Sequence, residues 1–521
     1  MKINQSIALA TTATANKVLA VSLPLLLVVF PILYLFQHNQ TDLPLSVLWS
    51  PLVISAAIGA AIFAISWIVF KPALKAGLLA SVLVIAIFYY GVFYDVAAAW
   101  GLSDAIVLGL WAALLTIGIV ALFRVNDPSI LGRAFLVAAA YLVLVSVTKI
   151  GLYRIQNPPV SVSDPRLWST PLEASQINTR RPLPDIYYIA PDDYARTDVL
   201  KEYLGYDNSQ FIRELENRGF LIPEQGRSPY SDSESNMASA LNLEYLNRFA
   251  NVLGAESQNS LMVTQVLEDN RASHFLEALG YQYIHIDSDN TTFPGDNPSI
   301  SPIAAPDNLT YLWLRASVLR AFGGGFGFSD NASDERFRRS VLAAFDRLKA
   351  TPQIPGPKFV FFHTLIPHDP YVFGPQGESV TFPDPTDDRL GSQEGVAFYV
   401  GQLRFSNQLL LESIDEILAH SETPPLIILQ ADEGFQSNPG TFGEKAVLDI
   451  RLKGLSAFYI PGKDVSQLPQ NLNNVNTFRY LFDLCFGTQL GMLKNASYAE
   501  GDFPYQPLEL HVIGDPDPTS P

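Results

Sequence analysis

A chain of 521 residues is longer than one ordinary domain, and its composition changes near residue 154, where long apolar runs give way to mixed sequence. The formal net charge is −17, yet the first 153 residues hold 7 Lys and Arg against 4 Asp and Glu, leaving 27 against 47 in the remainder. So acidic a remainder excludes nucleic acid as a partner. The single cysteine, Cys485, excludes an intrachain disulfide and a thiolate metal site.

Hydropathy predicts five membrane spans, at 17 to 36, 46 to 70, 74 to 95, 103 to 123 and 132 to 153, each near the roughly 20 residues that cross a bilayer core. The first apolar run outlasts a signal-peptide core and no small-residue cleavage site follows it, so it reads as a retained span. Basic residues mark alternate loops: Lys2 and Lys17 before the first span, Lys71 and Lys75 after the second, Arg124 and Arg133 after the fourth. The other two loops carry Asp42, Asp95 and Asp104 with no Lys or Arg. By the positive-inside rule the N-terminus is cytoplasmic and everything after residue 153 is extracytoplasmic, with a bacterial cytoplasmic membrane as the expected setting.

Residues 154 to 184 are rich in proline, at 158, 159, 165, 171, 182 and 184, and read as a linker or wrapping arm; GDPDPTSP at 514 to 521 reads as a disordered tail. Between them, over 185 to 513, short apolar runs alternate with helical patterns, as a doubly wound parallel α/β sheet requires. The clearest strands are DIYYIA at 185 to 190, KFVFFH at 358 to 363 and LIILQA at 426 to 431; helices are expected near 206 to 218, 271 to 279, 333 to 349 and 396 to 419.

Chemistry-bearing residues stand at the C-terminal ends of those strands, where such sheets bind ligands. Asp192 and Asp193 follow the first, His363 ends the second with His368 close behind, and Asp432 and Glu433 follow the third. Converging carboxylates repel unless a cation holds them ionised. Asp192, Asp432 and Glu433 would form an all-oxygen shell for one divalent metal, Mn, Mg or Ca. The bland reading, acids as helix caps, suits any one pair better than three strands together. Within SPYSDSESNMASALNLEYL, Ser231 and Ser233 are candidate nucleophiles at a helix start, where backbone N–H groups bind phosphate or sulfate oxygens. Ser231 with Glu234 also reads as a simple capping box. His368, between two prolines, can present an imidazole to a leaving oxygen, whereas His363 reads more readily as a core histidine.

PDIYYIAPDDYAR, KFVFFHTLIPHDPY, LIILQADEG and VNTFRYLF resemble, in order and spacing over 184 to 490, the sulfatase-like branch of the alkaline phosphatase superfamily. The layout of five spans and an outer catalytic domain is similar to lipoteichoic acid synthase and to phosphoglycerol or phosphoethanolamine transferases. The resemblance implies a Ser, Thr or Cys nucleophile that also binds metal, here within Ser231 to Ser233 with Ser233 preferred. It matches Asp192 to the acid after the first strand, Asp432 to the Asp of a late Asp-His pair, and His368 to a substrate-contacting histidine. The chain departs at Asp432-Glu433-Gly434, where the family has Asp-His-Gly, which puts a carboxylate where a ligating imidazole is expected. The expected function is a membrane-anchored, metal-dependent hydrolase or transferase of phosphate or sulfate esters, on envelope or lipid-linked substrates at the bilayer surface. The alternative from another class is a non-catalytic domain of the same fold that binds an envelope ligand or membrane partner.

Overall fold

The computed structural model describes residues 2–125, 127, 129–174, 177, 183–288, 308–322, 330–382, 392–437, 439–463, 465, 468–499, 504–505 and 508–510. The expected tail at 514–521 lies outside them. The chain divides into two compact units, Met1–Pro159 with Ala304–Ser333, and Val160–Ile303 with Asp334–Pro521.

The first unit is helical: α1 (Lys2–His38), α2 (Trp49–Val69), α3 (Ala73–Phe88), α4 (Tyr90–Ala98), α5 (Asp104–Arg124) and α6 (Ser129–Gln156). Four helices, Asn16–His38, Leu45–Val69, Asp104–Arg124 and Ser129–Gln156, are long and apolar enough to cross a membrane; α3 and α4, bent by 49° to each other, make a fifth span if counted as one. A tertiary contact stands at the break. Instead of bonding back into its own helix, the Gly91 amide donates to the Ala316 carbonyl at 2.8 Å. A Cβ on Gly91 would lie 2.6 Å from that oxygen, so only glycine admits the approach. Ala316 belongs to a segment that hydropathy does not flag. Helix Asn308–Arg315 buries Leu309 and Trp313 beside Val28, Ile32 and Phe36, Trp313 stacks on Phe88 at 5.1 Å, and Arg320 pairs with Asp95 at 2.8 Å.

The second unit is built on one five-stranded sheet, order β2-β3-β1-β4-β5, from β1 (Ile186–Pro191), β2 (Gln282–Asp287), β3 (Lys358–Thr364), β4 (Leu426–Gln430) and β5 (Ser456–Tyr459). The first four strands run parallel and β5 is antiparallel on the β4 edge. Helices α7 (Ser233–Asn242), α8 (Leu261–Glu268), α9 (Arg271–Ala278), α10 (Asp330–Ala350), α11 (Gln393–His420), α12 (Glu444–Arg451) and α13 (Thr477–Phe486) accompany it, with a further helix at Ser209–Asn217.

Both sheet faces are covered, which is why β1 and the middles of β3 and β4 are apolar at successive positions. Tyr187, Ile189, Val360, Phe362, Ile427 and Leu429 enter the core formed with α10 and α11. Their neighbours Ile186, Tyr188, Phe359, Phe361, Leu426 and Ile428 enter the core formed with α7, α8, α9 and α13. Each large side chain so buried contributes about 1.5–3 kcal/mol relative to exposure. The arm after Val160 lies on this second core through the fully buried Leu167. At the amino ends of the strands, Lys358 Nζ and Asp185 Oδ2 form a buried pair at 2.6 Å.

Candidate active site at the carboxyl edge of the sheet

Register brings the functional groups together. Ala190 on β1 and Asp287 on β2 both pair with His363 on β3, so the ends of three strands are level; Asp192 follows β1 directly and Asp432 stands two residues past the end of β4. Asp192, His363 and Asp432 are all buried, and one ligand atom from each lies within 4.8 Å of the others.

The partners of these groups determine which atoms remain available. Asp432 Oδ1 accepts from the Glu433 amide at 2.7 Å and the Asp193 amide at 3.3 Å. Its Oδ2 has no hydrogen-bond donor among the described residues and lies 3.9 Å from His363 Nε2. His363 is turned into this position by Asp287, whose Oδ2 is 3.3 Å from Nδ1. A carboxylate on the far nitrogen of a ligating histidine fixes ring orientation and tautomer. These observations fit a divalent cation, with an imidazole from β3 in the donor set.

Ser233 opens α7. The cap is Asp232, whose carboxylate accepts from the Ser235 amide at 2.8 Å, rather than the Ser231–Glu234 box that the sequence suggests. Glu234 instead accepts from Thr264 at 3.0 Å. The helix begins two residues after Ser231, so the box is out of register and Ser233 occupies the first helical position. Its Oγ donates to Glu433 Oε1 at 2.8 Å and lies 3.4 Å from Asp192 Oδ1. Ser231 offers its carbonyl, which accepts from Arg451 Nε at 3.2 Å.

Glu433 is fully buried. Its Oε1 is shared by Ser233 and Arg451, while Oε2 has no donor among the described residues. Arg451, the last residue of α12, also pairs with Asp193 Oδ1. It arrives because Gly434 has no side chain: the Gly434 amide donates to the Arg451 carbonyl at 2.6 Å, and a Cβ there would sit 2.2 Å from the Ile450 oxygen.

Asp193 turns through φ 57, the left-handed region that Asp tolerates better than most residues, and Tyr399 on α11 donates to its carbonyl at 2.8 Å. Its Oδ2 is 3.8 Å from His368 Nε2. His368 is steadied through Nδ1 by the Asp369 carbonyl at 2.6 Å, and Gln402 grips the same loop at the His368 carbonyl, also 2.6 Å.

Crowded acids take up protons where no cation stands. Burial, reinforced by Asp192, pushes Asp432 well above the usual carboxylate range. Burial does the same to Glu433 against the pull of Arg451, and lifts Asp193 to about 6. The histidines are raised as well, for the opposite reason. Burial disfavours their charge, but the surrounding acids together outweigh it: Asp287 with Asp192 and Asp432 raise His363 to about 9, and Asp193 with Asp192 and Asp369 raise His368 to about 10.

Three residues of the cluster lie outside the set chosen from sequence. Asp193 and His363 stand in the quoted motifs, and the signal that separates them from their neighbours is register between strands. Arg451, in VLDIRLKG, carries no local signal; only the excess of acid at one edge calls for such a cation.

The chain matches no family model and no curated protein. Among solved structures it is similar to the C-terminal periplasmic domain of EcEptC from Escherichia coli in complex with Zn, at 10% identity and TM-score 0.41, covering 65% of this chain and 94% of that one. It is also similar to the soluble domain of lipooligosaccharide phosphoethanolamine transferase A from Neisseria meningitidis, at 14% identity and TM-score 0.37 over 61% and 93%. A third is the lipoteichoic acid synthase LtaP from Listeria monocytogenes, at 12% identity and TM-score 0.35 over 61% and 78%. These are the kinds of protein that the sequence motifs resemble. Likeness this distant says nothing about the chemistry of this chain.

Proposed function

We propose that this is a membrane-anchored, metal-dependent enzyme that transfers or hydrolyses phosphate or sulfate esters, with Ser233 as nucleophile. The observation that carries the reading is the Ser233 hydroxyl at the start of a ten-residue helix, donating to Glu433 at 2.8 Å beside the converging Asp192, His363 and Asp432. Asp192, His363 and Asp432 would hold the cation, and the imidazole among them favours Mn or Zn over Mg or Ca. A bound divalent ion would supply electrostatic stabilisation of ester oxygens and a lowered pKa at the serine.

The chain's own groups account for the rest. The Ser233 proton has an acceptor in Glu433 Oε1, so as the Oγ bond to phosphorus or sulfur forms, the proton passes to that carboxylate. The start of α7, with the amides that Asp232 leaves open, would face the ester oxygens. As the bond to the leaving oxygen breaks, His368, protonated at neutral pH, gives that oxygen a proton from Nε2. Water or an acceptor hydroxyl then reverses these roles and frees the serine. The basic loops at Lys71, Lys75, Arg124 and Arg133 support an extracytoplasmic site, held by the anchor near lipid-linked envelope esters.

The test is turnover of chromogenic phosphodiester, phosphomonoester and sulfate ester substrates by the detergent-solubilised full chain with Mn, Zn or Mg. Metal-dependent turnover abolished by Ser233→Ala and retained in Ser231→Ala is the expected result. No turnover of any ester, with metal bound, would move the assignment to a ligand-binding domain.

A further inference from the structure

We infer that Arg451 is a positioning residue for Ser233, acting through Glu433, and that the site uses the forked shape of its guanidinium and not only its charge. The inference rests on the reading of Ser233 as nucleophile.

One planar group makes three attachments around the serine. Nη2 meets Glu433 Oε1, the same oxygen that accepts the Ser233 hydroxyl. Nη1 meets Asp193 Oδ1, whose other oxygen faces His368. Nε donates at 3.2 Å to the Ser231 carbonyl, two residues before Ser233. Arg451 thus ties together the proton acceptor, the residue facing the second imidazole and the loop that delivers the nucleophile.

The Ser233 hydroxyl has two carboxylates in reach, Glu433 at 2.8 Å and Asp192 at 3.4 Å. A free Glu433 side chain could rotate its carboxylate toward the cation site and leave the hydroxyl to Asp192. With Oε1 pinned by Nη2, the hydroxyl hydrogen stays on Glu433 and the Oγ lone pairs are left for attack. Arg451 is well placed for this because its side chain is 17% exposed while those of Asp193 and Glu433 are 2% and 0%, so little water competes for the contacts. Lysine would supply a charge but only a point donor, unable to span three acceptors set in a fork.

The experiment uses the full chain in detergent with Mn and a fluorophosphonate reagent, which forms a Ser–O–P bond as fluoride and the serine proton leave. Labelling of Ser233 is followed by peptide mass spectrometry, and Mn affinity by calorimetry on the same samples. Arg451→Lys keeps the buried cation and hence the fold, checked by circular dichroism, and Arg451→Met removes it. Both variants should lose about 100-fold in labelling rate, as misplacement by about 1 Å does, while Mn affinity stays within about threefold of the parent. Arg451→Lys labelling at the parental rate would show that charge alone suffices and overturn the inference. A parallel loss of Mn affinity in Arg451→Lys would assign the residue to the metal site and overturn it too. A parent that binds Mn but is never labelled at Ser233 defeats the nucleophile assignment itself, a pattern distinct from either variant result, and the inference falls with it.

Discussion

Whether His363 or Glu433 completes the cation site can be decided by perturbing a residue that touches neither the cation nor the ester. Asp287 Oδ2 lies 3.3 Å from His363 Nδ1, in a contact where the two side chains are 11% and 4% exposed, so water cannot readily replace it. Asp287→Asn keeps the shape and removes the charge that orients the ring. Loss of such an outer partner lowers metal affinity by about 10- to 100-fold, or about 1.4 to 2.7 kcal/mol. His363→Ala should cost more, and Glu433→Gln little, because its carboxylate is engaged by Arg451 and Ser233. The pH dependence has a defined sign. Without metal the His363 proton is held up to about pH 9, so metal must displace it. The His363 proton should therefore make affinity rise with pH between neutrality and about 9, adding at most about tenfold per unit and nothing above that. His363→Ala should lose that part of the slope. Calorimetric titration of the full chain with Mn in detergent at several pH values reads all of these. Weakening in Glu433→Gln that exceeds His363→Ala would refute the reasoning and restore the all-oxygen ligand set.

Glu433→His should lower Ser233 labelling rather than raise it, since the imidazole would face Arg451 and deprive the hydroxyl of its acceptor; increased labelling would mean that the carboxylate is a defect. Gly434→Ala forces a Cβ to within 2.2 Å of the Ile450 oxygen, so α12 must shift at a cost of about 1–3 kcal/mol, and unchanged labelling with unchanged urea midpoint would contradict the role given to that glycine. Lys358→Met strands the buried Asp185 and should cost about 3–5 kcal/mol in urea unfolding; Asp185→Asn added to it should recover most of the loss, and strict additivity would deny the coupling. Burial pushes the Cys485 thiol to about 11, so alkylation by iodoacetamide, read by intact mass, should be slow at pH 8 and climb about tenfold per unit toward that value.

The fold was legible wherever one element's own sequence carries the signal. Long apolar runs mark the spans, and strands apolar on both faces mark β1, β3 and β4. β2 was not legible: Gln282–Asp287 reads QYIHID, and an edge strand with partly exposed positions has neither a continuous apolar run nor clean alternation. The bend at Tyr89 was hidden for another reason. The contact there, the bond from Gly91 to Ala316, is with a segment more than two hundred residues away, and no local window spans both.

The site divides along the same line. Asp192, His363 and Asp432 stand at strand ends and follow from strand assignment, although rating His363 above its core reading needs the register that sets Asp287 against it. Ser233 emerges once the helix start is known to the residue. Arg451 depends on packing of α12 against Gly434, for which one chain contains no signal.

The carboxylate at 433 is best understood by pairing charges. Standing where an imidazole is expected, it adds a negative charge in the path of an anionic ester, which from sequence weighs toward lost catalysis. In the folded chain, Glu433 and Asp193 face Arg451 and His368, two negative groups against two positive ones. On the proposed reading, Asp192 and Asp432 would then remain to balance a divalent cation, with His363 as the neutral third donor. Asp287 behind His363 and Asp369 at 3.2 Å from His368 leave the edge acidic overall, but the two acids nearest Ser233 and His368 are paired, so an incoming anion would meet His368 and the start of α7 before uncompensated acid. The substitution that argues against catalysis when the motif is read alone is compensated by residues from two other elements, β3 supplying the imidazole and α12 the fixed cation.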